Sequence, residues 1–258
     1  MSHFWAGAGR WPGLLIWLLC WSLVAPAVAA GPDSPQSTAM RFVVVRGSDA
    51  SCEPTCPEWI SAEGNINANS PQLLKKTLQL VGSRKLPIVV FSAGGDSDAA
   101  MTLGRLIRRS ALGVAVGRTL FDGCRPEQSD CKANDGKGAR FLGRAISAGG
   151  YCASECVLML AGGVRRLVAT DAIVGVRQTA PSRKLSTYVK EMGVDSSLLD
   201  AMEKAPATGL DPLLSERMLK MKLITDAAGP ELLTAGSVCK AAPAADNCRV
   251  FTVLDLKR

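Results

Sequence analysis

A continuous apolar run between two helical patterns constrains this chain more than any other feature. Residues Pro87 to Ser92 read PIVVFS, without the polar alternation of a half-exposed strand. Such a run is typical of a strand covered on both faces in a parallel sheet. Before it, Ser70-Pro71 opens a helix, and after it Ser97 or Asp98 caps a helix that runs to about Ser110. A buried strand between two helices indicates an α/β architecture.

The same alternation continues along the chain. Further strands are predicted at Arg41 to Arg46, Trp59 to Gly64, Gly113 to Gly117, Arg166 to Ala169 and Ile173 to Val176, an edge strand at Arg249 to Leu254, and helices at 183–192, 195–204 and 213–222. Residues 118–149 are polar and glycine-rich and predict a long irregular loop. Together these elements predict a single α/β domain with a mostly parallel sheet flanked by helices.

The N-terminal thirty residues have the pattern of an export signal. Arg10 supplies the positive charge, Leu14 to Val24 form the apolar run, and Ala27-Val28-Ala29 are the small residues of a cleavage site. The run is shorter than the ~20 residues of a membrane-spanning helix, which favours cleavage over a retained anchor. We therefore predict a periplasmic or secreted protein without a stable membrane span. Its predicted parts are a signal peptide at 1–30, a linker and short strand at 31–50, the main domain at 51–236 and a disulfide-stapled edge segment at 237–258.

Cysteine spacing suggests local disulfides. The chain has nine cysteines, and the eight that follow Cys20 form four close pairs, 52/56, 124/131, 152/156 and 239/248. An even number in an exported chain favours disulfides, and a zinc cluster is the alternative. The pair Cys152 and Cys156 is poorly aimed for a bridge within one helix. Either Cys152 precedes the helix, or one of the two cysteines reaches the Cys124–Cys131 loop.

The positive charge does not indicate nucleic-acid binding. The formal net charge is +7, with arginines clustered at Arg105, Arg108 and Arg109 and at Arg165-Arg166. No aromatic residues interleave with them, and the chain has only two tyrosines. We expect these arginines to lie on a solvated helix face or to attract the protein loosely to an anionic envelope.

Two stretches can carry chemistry. Gly94 and Gly95 follow the buried strand, where bare backbone amides can point at a negative oxygen, although such a glycine pair is also a common turn. Ser154 lies in GYCASECVLMLAGG, at the start of an apolar helical run. A helix N-terminus favours a developing anion, and the alternative is a plain N-cap serine.

These stretches, in order and spacing, resemble the Clp protease proteolytic subunit and the wider Clp/crotonase superfamily over about residues 58–227. The family pattern is a strand ending in Ser-Pro-Gly-Gly, a serine inside Ala-Ser at a helix start, a strand ending in His-Gln and an aspartate before a helix ending in Gly-Leu-Ile-Asp. Exported, cysteine-containing relatives are the most similar. Their segments correspond here to Cys56-Pro-Glu-Trp-Ile60, Ser92-Ala-Gly-Gly95, Cys152-Ala-Ser-Glu-Cys156 and Gly175-Val-Arg-Gln178.

The resemblance implies roles for five residues. Ser154 falls on the nucleophile, Gly94 and Gly95 on the oxyanion loop, Asp211 on the third member of the triad, and Arg177 on the catalytic histidine. There are two further departures from the family pattern: Ala93 replaces the usual proline, and Glu155 replaces a small residue beside the serine. The main domain at 51–236 is thus expected to have a Clp/crotonase-like fold.

The loss of the histidine decides the expected mechanism. A guanidinium has no lone pair to accept a proton and stays charged, so Arg177 cannot serve as the base for Ser154. The only histidine of the chain, His3, lies in the predicted signal. Some membrane-bound relatives use a serine–lysine pair instead, and Lys184 and Lys190 are the candidates on a predicted helix. The alternative is that both lysines are solvated at the surface.

The sequence therefore leaves two hypotheses. The first is a non-catalytic binding or assembly protein with a degenerate serine-hydrolase site that holds a peptide or carboxylate. The second is a serine peptidase or hydrolase with weak or unconventional Ser–Lys catalysis. Neither needs a cofactor or metal, and a homo-oligomer is an expectation from the resemblance alone. We also predict that Arg177 pairs with Asp211, or less readily with Glu155, because an unpaired buried charge is costly. The alternative is that its side chain turns into solvent.

Overall fold

A computed structural model describes residues 38–128 and 141–250. Its strands are β1 Arg41–Gly47, β2 Thr55–Glu63, β3 Ile88–Phe91, β4 Val114–Val116, β5 Arg118–Asp122, β6 Phe141–Ile146, β7 Tyr151–Ala153, β8 Arg166–Leu167, β9 Ile173–Val176, β10 Asp211–Pro212 and β11 Cys248–Val250. Its helices are α1 Ser70–Val81, α2 Ser97–Arg109, α3 Cys156–Ala161, α4 Arg183–Glu191, α5 Ser197–Lys204, α6 Ser215–Lys220 and α7 Glu231–Thr234. The mixed α/β class predicted from the sequence is confirmed. The predicted signal at 1–30 lies outside the described residues.

The strands form two mixed sheets. The larger has the order β5-β6-β1-β2-β3-β4-β8, with β11 paired to β2, and the smaller has the order β10-β9-β7. From β2 through β3 and β4 to β8 the pairing is parallel, whereas β1 with β2 and β5 with β6 are antiparallel. The two sheets meet where the backbone of Ser92, just after β3, pairs with Cys152 in β7. That junction positions the candidate site.

Both faces of β3 are covered, as the apolar run predicted. Ile88 and Val90 belong to the main core, which helices α1 to α5 also build. Val89 faces the other way, into a smaller cluster with Trp59 and Phe141. Because successive side chains of a strand point to opposite faces, a strand with both faces covered must be apolar at every position.

The structure corrects several boundaries. The N-cap of α2 is Asp96, whose carboxylate accepts a hydrogen bond from the Ala99 amide at 2.7 Å, rather than Ser97 or Asp98. The irregular loop predicted at 118–149 contains the antiparallel pair β5 and β6, in which the Phe121 and Phe141 rings meet edge to face at 6.0 Å. The sequence prediction failed there because the two strands are separated by a long polar stretch. Residues 129–140 lie outside the described residues.

The cysteine pairs are local, as predicted. Cys52–Cys56, Cys152–Cys156 and Cys239–Cys248 are disulfides. Cys124 is also disulfide-bonded, and Cys131 lies outside the described residues. Cys152 belongs to β7 and Cys156 begins α3, so the first of the two predicted arrangements is the one formed. The last disulfide lies beside the pairing of β11 with β2, and the predicted strand beyond Val250 is outside the described residues.

Two arginines of the predicted solvated face have structural roles. Arg108 donates hydrogen bonds to the carbonyls of Ala161 and Gly162, each at 2.9 Å, at the end of α3. Arg166 is buried and donates to the carbonyls of Gly163 and Lys222, each at 2.9 Å. These guanidinium groups satisfy main-chain oxygens that would otherwise be left without donors. Over residues 38–128 and 141–250, no helix has the length and apolarity to cross a membrane.

Candidate functional site

Ser154 lies in a sharp turn between β7 and α3. Its φ is 55°, in the left-handed region, which costs a non-glycine residue about 1–2 kcal/mol. The turn persists because its surroundings hold it: the Ser154 amide donates to the Gly175 carbonyl at 2.9 Å, and the Cys152–Cys156 disulfide brackets the serine. Backbone strain of this kind is concentrated at functional sites.

The Ser154 hydroxyl does not cap a helix. The N-cap of α3 is Glu155, and α3 has only six residues, so the alternative of a plain N-cap serine is wrong. Ser154 is 7% exposed, and its hydroxyl makes no hydrogen bond to any residue within the described parts of the chain. A nearly buried hydroxyl without such a partner is available to a molecule in the adjoining cleft.

The predicted glycine loop lies directly against this turn. Gly94 and Gly95 have φ values of 101° and 139°, which side chains rarely adopt. A Cβ atom at Gly94 would lie 2.8 Å from the Ser154 Cβ, so no side chain fits there. The Ile66 amide donates to the Gly94 carbonyl at 2.8 Å, and the Ile66 carbonyl accepts from the Asp96 amide at 2.9 Å. The structure thus brings the three predicted residues Ser154, Gly94 and Gly95 together.

Both glycine amides already have partners inside the protein. The Gly94 amide donates to the Ser92 hydroxyl oxygen at 3.2 Å, and that hydroxyl donates to the Gly64 carbonyl at 2.6 Å. The Gly95 amide donates to Oε2 of Glu155 at 3.0 Å. The residue that follows the serine therefore places its own carboxylate on an amide that the resemblance assigns to an oxyanion.

An open cleft of about 550 Å³ adjoins the serine turn and the glycine loop. Its lining residues are Asn65, Ala93, Gly94, Gly95, Ser154, Glu155, Arg177, Gln178 and Thr179. Small-molecule sites commonly have volumes of about 300–1,000 Å³, so the cleft is large enough for a ligand. Its charged side chains are Glu155 and Arg177, one of each sign. This cleft is the candidate functional site.

The predicted ion pair of Arg177 does not form. Arg177 follows β9, its side chain is exposed, and within the described parts of the chain its guanidinium has no ion pair or hydrogen bond. Asp211 pairs in register with Val176, next to Arg177, but its carboxylate accepts from Nη1 of Arg217 at 3.1 Å. Asp211 also does not line the cleft. The prediction was wrong because Arg217, only 6 residues further along the chain, reaches the Asp211 carboxylate instead.

The serine–lysine alternative has no geometry to support it. Lys184 and Lys190 are exposed on α4, and neither lines the cleft. Nζ of Lys184 lies 2.5 Å from Oδ1 of Asp98. Among the lining residues, the titratable acceptor is Glu155, whose Oε2 accepts from the Gly95 amide.

Two side chains of this site have functions that sequence reasoning missed. The sequence marks Ser92 only as part of a motif, yet its buried hydroxyl links the Gly94 amide of the glycine loop to the Gly64 carbonyl after β2. A short hydroxyl side chain at a strand end, two residues before a glycine, is the available signal for such a role. Glu155 is a neighbour of Ser154 and cannot face it on a helix, but its side chain points across the cleft to a loop 60 residues away in sequence.

Comparison with known proteins gives matches among solved structures alone. No protein-family profile and no curated protein matches the chain. Similar structures include ClpP1 from Listeria monocytogenes, with 13% identity over 62% of this chain and 84% of that chain and a TM-score of 0.40. An enoyl-CoA hydratase from Mycobacterium marinum has 13% identity over 72% of this chain and 80% of that chain, with a TM-score of 0.46. A mutant of the 1510-N membrane-bound stomatin-specific protease has 15% identity over 65% of this chain and 78% of that chain, with a TM-score of 0.41.

At these identities the likeness concerns the fold alone and says nothing of activity. The mixed α/β class of this chain follows from its own strands and helices.

Proposed function

We propose that this chain is an exported binding protein whose degenerate serine-hydrolase cleft holds a ligand without cleaving it. The observation that carries the proposal is the hydrogen bond from the Gly95 amide to the Glu155 carboxylate. An oxyanion hole must have donors ready for a developing negative charge. In this cleft the Gly95 amide already donates its hydrogen bond to the negatively charged Glu155 side chain of the protein itself.

The absence of a suitable base supports the same conclusion. Ser154 needs a group that accepts its proton, and Arg177, at the position of the family's histidine, cannot do so. Loss of a triad base costs on the order of 10⁴ to 10⁶ in rate. Loss of one oxyanion donor costs about a further 10² to 10³. Together, the two departures from the family pattern leave little hydrolysis.

The proposed compartment is the periplasm or the exterior. Disulfides persist in oxidising environments, and the described residues include three disulfides and a seventh bonded cysteine, Cys124. The N-terminal pattern of a charged, apolar and small-residue segment supports the same destination. A homo-oligomer remains a prediction from the resemblance.

One observation favours the second candidate, a weak serine hydrolase. The left-handed turn at Ser154 resembles the strained strand-to-helix turns that present nucleophilic serines. A binding protein does not need that strain for chemistry. The turn is equally required, however, to bring Glu155 onto Gly95, because both contacts come from one short segment.

Labelling with a fluorophosphonate serine probe distinguishes the two candidates. The natural protein, purified with its disulfides intact, should label no more than the matched variant S154A or the denatured protein, because its serine is not activated. An active serine hydrolase treated in parallel provides the positive control. Strong labelling that disappears in S154A would overturn the binding proposal in favour of hydrolysis.

A further inference from the structure

We propose that the cleft recognises a free carboxylate on its ligand, at a subsite formed by the Gly95 amide and the Arg177 guanidinium. The Glu155 carboxylate is a tethered competitor for the same amide. The inference rests on the binding function proposed above and names the chemistry of the ligand. It has three supports, one for each of these residues.

The present partner of the Gly95 amide shows what kind of acceptor this N–H group can bind. The amide donates to a carboxylate oxygen at 3.0 Å, an ordinary length for an N–H···O hydrogen bond. A ligand carboxylate in place of Glu155 would keep the same donor and the same type of acceptor. The exchange therefore loses no hydrogen bond at this exposed amide, whereas a ligand without an acceptor would break one and offer nothing in its place.

Arg177 gives the ligand carboxylate an advantage over Glu155. Arg177 is a lining residue of the cleft, and its exposed guanidinium has no ion pair within the described parts of the chain, with Glu155 or with any other carboxylate. The planar guanidinium matches a carboxylate with two parallel hydrogen bonds. A ligand carboxylate that reaches both groups thus gains an interaction that Glu155 does not make.

The position of Glu155 next to a restrained turn lets its carboxylate compete with a ligand for the Gly95 amide. Glu155 follows Ser154, whose turn is fixed by the Cys152–Cys156 disulfide and by the hydrogen bond to Gly175. A ligand must displace this carboxylate, so the apparent affinity falls in proportion to the fraction of molecules in which the amide is available. Removing the Glu155 carboxylate should therefore tighten ligand binding.

Isothermal titration calorimetry on the oxidised full chain tests the inference. The probes are N-acetyl-tetraalanine with a free C-terminal carboxylate, the same peptide as its C-terminal amide, acetate and inorganic phosphate. The free acid should bind, and the amide should bind on the order of tenfold more weakly or not at all. E155A should bind the acid on the order of tenfold more tightly, and E155Q should show a smaller gain because its neutral oxygen is a weaker competitor.

The matched pair for the cation is R177Q and R183Q. Both arginines are exposed, but Arg183 lies on α4 outside the cleft lining. R177Q should lose on the order of tenfold in affinity for the acid, and R183Q should not change it. Binding of acetate as tight as that of the peptide acid would support the carboxylate subsite and assign it to small acids rather than peptide termini.

Other results would overturn the carboxylate subsite. One is that the peptide amide or inorganic phosphate binds as tightly as the peptide acid. Another is that R177Q and R183Q bind the acid with equal affinity. A third is that neither E155A nor E155Q binds the acid. Circular dichroism of each variant shows whether it is folded. None of these results depends on Ser154, so labelling of Ser154 by the probe remains the separate test of the non-catalytic function.

Discussion

At the scale of single residues, the proposed binding function depends on two residues that line the cleft, Arg177 and Glu155. Arg177 stands where the resemblance implies a histidine, and Glu155 stands where it implies a small residue. In the proposed function, the first supplies no base and the second occupies the Gly95 amide. Each change alone would impair hydrolysis, so restoring one of them is not sufficient.

Activity should return only when both residues are changed. From the sequence, R177H alone is predicted to raise probe labelling, because it restores the family's base. With the structure, we expect R177H to stay near the level of the natural protein. E155A/R177H should gain on the order of tenfold, less than the usual 10² to 10⁴ for general-base catalysis because Asp211 is bonded to Arg217 and is not available to orient the ring.

The measurement is the rate of fluorophosphonate labelling, with S154A added to the double variant as its control. If R177H alone matches the double variant, Glu155 does not obstruct the oxyanion donor. If neither variant labels, the missing orientation of the new histidine outweighs both changes.

At the scale of elements, the junction of β7 and α3 combines a strained turn with a disulfide. Ser154 and Glu155 both depend on this junction for their positions. The Cys152–Cys156 bridge closes a short loop and is fully buried. Because this loop is short, the disulfide should add only modestly to the free energy of unfolding, but it directly restrains the backbone of the Ser154 turn.

Removing this disulfide should loosen the candidate site. In the chain-entropy model, C152A/C156A should lose about 2 kcal/mol of unfolding free energy. The control C239A/C248A, which removes a bridge across nine positions, should lose a similar amount. Urea unfolding measures both losses.

Hydrogen exchange separates the local effect from the global one. The Ser154 amide, bonded to the Gly175 carbonyl, should lose protection beyond the global loss in C152A/C156A but not in C239A/C248A. Equal protection of that amide in the two variants would mean that packing alone holds the turn.

At the scale of the whole molecule, a polar network ties three strands of the larger sheet together. Glu63 in β2 accepts from Arg41 in β1 at 3.0 Å and from the Thr119 amide in β5 at 3.2 Å. Burial raises the pKa of Glu63 above its ordinary value of 4.5, because desolvation outweighs the hydrogen bond from Thr119 and the charge of Arg41. The folded protein therefore holds the Glu63 proton more tightly than the unfolded chain does.

This raised pKa gives a stability that decreases with increasing pH. The contribution of Glu63 is fully present below pH 4.5, its unfolded value, and is lost as the pH rises through the folded pKa. E63Q cannot titrate at this position. Urea unfolding at several pH values should show the stability of E63Q rising relative to that of the natural protein from about pH 4 upward. A difference that stays constant or falls with pH would mean that Arg41 compensates the buried charge.

The sequence by itself determined the features that depend on neighbouring residues. The apolar run before Ser92 indicated a strand covered on both faces, and the helical patterns predicted α1 to α6, although not the short α7. The glycine pair next to the serine and the local disulfides also followed from short spacings. Such features depend on backbone periodicity and chain reach, which a few consecutive residues specify.

Only the tertiary structure decided which distant side chains meet. The local sequence does not show that the Glu155 carboxylate binds the Gly95 amide. It also does not show that Asp211 pairs with Arg217 rather than with Arg177. The pairing of β5 with β6, which a long polar stretch separates in sequence, likewise could not be predicted from the sequence. Exposed ion pairs are worth about 0–1 kcal/mol, so alternative partners differ little in energy and the packed backbone selects among them. For this chain that selection gives a cleft in which the Gly95 amide is bonded to the protein's own Glu155 carboxylate.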